Sequence, residues 1–135
     1  MAPCHKYEHG HYDHFNLTGE TADNLGSPDV PRSSLCLHPD LMRRLDRARA
    51  IAGIPFVITS GFRSREHNAT VGGISTSSHL RGLAVDIRCR DDRTAVRMIA
   101  ALAQAGFQRI GWHREGRFIH VDIDDTKPTP AYWTY

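Results

Sequence analysis

No stretch of this 135-residue chain approaches the roughly 20 consecutive apolar residues that a membrane-spanning helix needs, so no membrane insertion is expected. Charge of one sign is missing too. Lys and Arg number 17 against 15 Asp and Glu, the formal net charge is +2, and the basic residues are scattered along the sequence, so no nucleic-acid partner is expected. Cysteine is scarce: Cys4, Cys36 and Cys89 form no close pair of the kind that holds structural zinc, and an odd number cannot all pair within one chain. Free thiols in a reducing compartment are the expectation. The first residues run straight into polar side chains without the apolar core of a secretory signal, so synthesis in the cytoplasm is expected, with any outside action needing release or export by another path.

What is present is an ordinary soluble composition, with 40% hydrophobic and 24% charged residues in a length that suits one domain. A monomer is the default expectation. Residues 1–37 are rich in His, Gly, Pro, Asp and Ser without a steady apolar period, and read as an irregular lead-in that wraps a domain spanning 38–135. From Asp40, taken as a cap, Leu41, Leu45, Ala48 and Ala52 recur at helical steps until Gly53. Phe56–Thr59 suits a buried strand, and Ser64 caps a short helix with Glu66 in its first turn. Leu83–Cys89 alternates so that Asp86 faces away from Val85 and Ile87. Asp91 or Asp92 caps a helix with the apolar stripe Ala95, Val96, Ile99, Leu102 and Ala103, closed by Gly106. Phe107–Trp112 and Arg117–Ile123 read as a terminal hairpin, with His120 and Asp122 on the side opposite Ile119 and Val121. The fold class is α+β: one small domain with a mostly antiparallel sheet flanked by helices.

The period-two pattern gives Asp86 and His120 a common feature: each projects from a strand away from its apolar neighbours, so adjacent strands can aim both at one point. His79, in the Ser-rich loop before Asp86, reaches the same point. Two imidazoles and one carboxylate are a zinc ligand set that leaves a fourth tetrahedral position for water, the arrangement of a catalytic site. Such a water is a nucleophile at neutral pH. The group His5, His9, His11 and His14 lies where no regular element is expected and is left out of the site.

Ser60-Gly61-Phe62-Arg63-Ser64, Glu66-His67-Asn68, Val71-Gly72-Gly73, Ser77 to Asp86 and His120-Val121-Asp122 resemble the M15 zinc peptidases. That family includes D-alanyl-D-alanine carboxypeptidases, D-Ala-D-Ala dipeptidases and phage endolysins, and shares its fold with the hedgehog signalling domain. The resemblance runs from about Asp40 to Asp124. It implies one zinc ion held by His79, Asp86 and His120, and Arg63 reaching in to meet a carboxylate or the developing oxyanion. It implies peptidoglycan stem peptides as substrate. Ser77 either bonds substrate or shapes its loop. Many family members carry an acidic general base three residues before the last histidine ligand, where this chain has Arg117, which accepts no proton. Glu115, then His113, are the nearest replacements, and Asp122 either orients a ligand or serves as base itself. A zinc-containing wall-binding or virion module that has lost the base is the alternative.

Overall fold

Pro39 decides where the first long helix starts. In the computed structural model, which describes residues 4–19, 22 and 24–135, α1 spans Pro39–Ala52. Its cap is His38, whose Nδ1 accepts from the Asp40 amide at 3.0 Å, and not Asp40 as the sequence suggested. A proline has the fixed φ and the missing N–H of a first helical position, so it moves the start back and leaves Asp40 in the first turn. Gly53, at φ 66°, ends the helix. The remaining elements are β1 (Ile58–Ser60), α2 (Arg65–Thr70), β2 (Ala84–Arg88), α3 (Asp92–Gln104), β3 (Arg109–His113), β4 (Phe118–Asp122) and β5 (Ala131–Thr134), with short 3-10 turns at Ser33–Cys36 and Ser78–Arg81.

The strands form one sheet in the order β1-β2-β4-β3-β5, antiparallel except for the parallel pair β3 and β5. The domain is α+β, as expected, but the sheet does not end with the hairpin: β5 continues it at the β3 edge. Val85, Ile87, Ile119 and Val121 point to one side and are wholly buried in a core shared with Leu41 and Leu45 of α1 and Met98 and Leu102 of α3. Asp91 caps α3 through the Thr94 amide at 2.7 Å. The buried stripe of α3 is Ala95, Met98, Ala101 and Leu102, while Val96 is 68% exposed and Ala103 is exposed. The expected stripe is thus turned by part of a step. Met98 and Ala101 belong to the buried core, where α3 packs on α1.

The residues before α1 are threaded through the same core by Tyr12, Leu17, Leu25 and Leu37. The Asp46 carboxylate of α1 accepts the amides of Asp13 and His14, each at 2.9 Å, and Phe62 donates its amide to the Leu25 carbonyl at 2.9 Å. Cys4 and Cys36 form a disulfide, their Cα atoms 5.5 Å apart, which corrects the expectation of free thiols for two of the three cysteines. Folding brings together residues 32 positions apart, a proximity that spacing does not reveal. Cys89 is free and buried.

Candidate metal centre

Register does most of the work of building the centre. Asp86 of β2 and His120 of β4 are directly paired residues of neighbouring antiparallel strands, so their side chains leave the sheet on the same side. His79 comes from the 3-10 turn Ser78–Arg81, whose first amides are capped by Ser77 Oγ at 3.3 Å from the His79 nitrogen. Gly82 closes that turn at φ 68°, packed so tightly on the Cys36 carbonyl that a Cβ has no room. The Arg63 amide donates to the His79 carbonyl at 3.1 Å, which ties this turn to the loop after β1.

The tautomers of both histidines follow from their outer partners. His79 Nδ1 is 2.7 Å from the Gly61 carbonyl and His120 Nε2 is 2.7 Å from Asp122 Oδ2, and both partners only accept, so each of these nitrogens carries the proton. The unprotonated nitrogens, His79 Nε2 and His120 Nδ1, then lie 3.3 and 3.1 Å from the same oxygen, Asp86 Oδ1. Three electron pairs thus face one another, and all three donor atoms lie within 4.8 Å of each other. With His79 and Asp86 buried, that arrangement is repulsive until a cation, either a proton on one of the imidazoles or a metal ion, stands among them. Zinc fits the set. It takes imidazole nitrogen and carboxylate oxygen, and bonds of about 2.0–2.1 Å in a tetrahedron separate neighbouring ligand atoms by about 3.3 Å.

Behind the ligands stands a layer of charges already paired. Asp122, buried, accepts Arg109 Nε at 2.8 Å and the Asp124 amide at 3.0 Å on Oδ1 while Oδ2 holds His120. Burial opposes its ionisation, but the His120 hydrogen bond and charge, the Asp124 amide and Arg109 outweigh it and keep its pKa below the usual carboxylate value. Asp86 behaves in the same way: burial raises its pKa, and the hydrogen bonds and charges of His120 and His79 lower it further than burial lifts it. Burial lowers the His120 pKa, and Asp122 and Asp86 together bring it above the ordinary value. Arg63 Nη2 lies 3.3 Å from Asp86 Oδ2, with Nε on Ser60 Oγ at 3.0 Å and Nη1 on Asn68 Oδ1 at 3.2 Å.

Of the residues singled out in the sequence, His79, Asp86, His120, Asp122 and Arg63 come together here. Ser77 is buried and shapes the loop through its cap. His113 is on the same side of β3 as the cluster, two residues beyond Gly111, which pairs with His120; its Nδ1 accepts the Gly116 amide at 2.7 Å and its ring packs against Phe118 and Tyr135, which also touch each other. Glu115 and Arg117 sit exposed in the hairpin turn, outside the cluster. The histidines of the lead-in go to separate partners: His9 to Tyr12 Oη at 2.6 Å and His14 to Asp46 at 2.9 Å.

Sequence reasoning missed Arg109, Asp124 and Trp133. The Arg109 guanidinium lies 5.0 Å from the centre of the Trp133 ring, and that ring lies 5.6 Å from His120, over a Gly111 where a Cβ would come within 2.5 Å of the indole. Period two in Arg109, Gly111 and His113 is the one signal that could have placed Arg109 on this face. A family model described as Peptidase M15 matches residues 12–122, most of the chain and a longer stretch than the motifs alone marked. No curated protein matches the sequence.

Proposed function

The chain belongs to the peptidase M15 family, and from that premise we propose that it is a zinc-dependent peptidase cutting peptide bonds in peptidoglycan stem peptides, as a carboxypeptidase or an endopeptidase. The observation that carries this reading is the inward convergence of the free electron pairs of His79, Asp86 and His120. Zinc bound there supplies a Lewis acid that activates water at neutral pH and polarises a carbonyl. Asp122 holds the His120 ring by its Nε2 proton, and Arg109 holds Asp122, so the ligand meets the site in one orientation. Arg63, anchored by Ser60, Asn68 and Asp86, turns its remaining N–H groups toward a substrate carboxylate or the oxyanion.

Both oxygens of Asp122 already accept hydrogen bonds, which suits an orienting role better than proton transfer. His113, on the same side of β3 as the cluster, is the better-placed proton acceptor once its Nδ1 releases the Gly116 amide that now holds that lone pair, and Glu115 reaches the site only if the whole turn moves. Action on the wall, after release or export and in a phage or bacterial setting, fits the disulfide, a bond that persists in oxidising surroundings.

Mass spectrometry of muropeptides incubated with the zinc-loaded protein tests the proposal. We expect new stem-peptide fragments, with His113→Ala slowing their release by about 10²–10⁴-fold while zinc is retained. Glu115→Ala leaves the rate within a factor of two; the reverse result exchanges the two roles. Arg117, standing where relatives carry the base, favours a second reading as a wall-binding module, and zinc-loaded protein that binds sacculi without releasing fragments selects it.

A further inference from the structure

Four arginines that look scattered in the sequence share one groove of about 600 Å³ away from the metal centre. Arg88 ends β2, Arg90 lies in the following turn, and Arg93 and Arg97 stand one helical turn apart on α3; all four are exposed. Arg97 Nε donates to the Ala52 carbonyl at 2.9 Å, which anchors its guanidinium at the groove and leaves the terminal nitrogens free. The acids next in sequence are engaged. Asp91 caps α3, with Arg90 at 3.8 Å, and Asp92 takes Arg114 and Trp112. Neither Arg88 nor Arg93 has an ion-pair partner among the described residues. The opposite wall is apolar, formed by Pro55 and the 42% exposed Val57.

We propose that this groove binds the phosphodiester backbone of an anionic, polyol-phosphate polymer of the cell wall. The guanidinium fork matches phosphate oxygens in pairs, and the apolar wall accepts the carbon stretches between phosphates. The choice of a wall polymer rests on the peptidase reading above. Nucleic acid fits less well: no aromatic side chain lines the groove to stack a base, and the whole chain carries a formal charge of only +2. Binding here holds the protein on its substrate without touching the metal ligands.

The experiment is fluorescence anisotropy of the full chain with isolated poly(glycerol phosphate), over a salt series, beside single-stranded DNA of equal phosphate number. Arg88→Gln/Arg93→Gln should weaken polymer binding about tenfold and flatten the plot of log affinity against log salt by roughly 0.7 for each arginine lost. Arg43→Gln/Arg47→Gln removes the same charge from exposed positions on α1 and should leave binding within a factor of two. Polymer binding unchanged in the Arg88/Arg93 variant, an equal loss in the α1 variant, or tighter binding to DNA overturns the proposal. Binding is read apart from turnover, so failure of both proteins to cut soluble muropeptides strikes the peptidase reading alone.

Discussion

The two faces of the sheet are made from the same strands and held by opposite means. On one, Val85, Ile87, Ile119 and Val121 are wholly buried against α1 and α3, where any apolar group of suitable volume serves. On the other, Asp86, His120 and Asp122 alternate with them, and each has a specific partner: two imidazoles, an arginine, an amide. The apolar face stabilises through area removed from water, and its contributions spread over many contacts. The polar face depends on a few directed bonds among buried charges, where removing one partner leaves another uncompensated. Stability and chemistry are therefore separable by residue parity along one strand.

The sharpest way to break that comparison is on the polar side. Asp86→Ala should reduce bound zinc to background by elemental analysis and abolish muropeptide hydrolysis, with far-ultraviolet circular dichroism retained. Zinc retained in this variant would contradict the ligand assignment. On the apolar side, Ile119→Ala opens a cavity and should cost about 2–5 kcal/mol in urea denaturation, with zinc affinity of the folded protein little changed. A matching loss of affinity would show that the faces are coupled. Asp122→Asn tests the layer behind the metal and should weaken zinc binding about 10–100-fold by competition with a chelator.

An effect of similar size concerns Asp124, which is fully buried and ties the segment after β4 to the turn bearing His79 through Ser78 Oγ at 2.7 Å and through Arg81. Burial opposes its ionisation, yet hydrogen bonds from Thr126, Ser78 and Arg81 hold its pKa well below the usual 3.8. A depressed carboxylate contributes stability that is fully present above its unfolded value and lost as pH falls toward the folded one. Denaturation midpoints should thus stay level with respect to this group above about pH 4 and drop below it. Ser78→Ala should reduce stability by roughly 1.5–3 kcal/mol at neutral pH, the range for a hydrogen bond to a charged group.

Much of the centre was legible because its information is local. Alternation in Leu83–Cys89 and Arg117–Ile123 put Asp86, His120 and Asp122 on the face away from the core before any strand pairing was known. Ser64 and Asp91 read as caps for the same reason: a cap is decided within three residues. The cap of α1 moved back two residues because Pro39 and His38 outcompeted Asp40. The α3 stripe turned because packing against α1, not average hydrophobicity, selects which apolar residues are covered. The Cys4–Cys36 bond, the Arg109–Asp122 pair and the arginine groove were invisible, since each joins groups whose meeting depends on a connection through the rest of the fold.

The order of residues was enough to single out the candidate ligands and the side of each strand they leave, because backbone periodicity is a short-range property. Only the tertiary structure decided that β2 and β4 are neighbours in the register that sets Asp86 opposite His120, that β5 lays Trp133 across Gly111, and that Gly61 offers its carbonyl to His79. Those placements come from burying one apolar face against two helices, a condition that no segment satisfies alone.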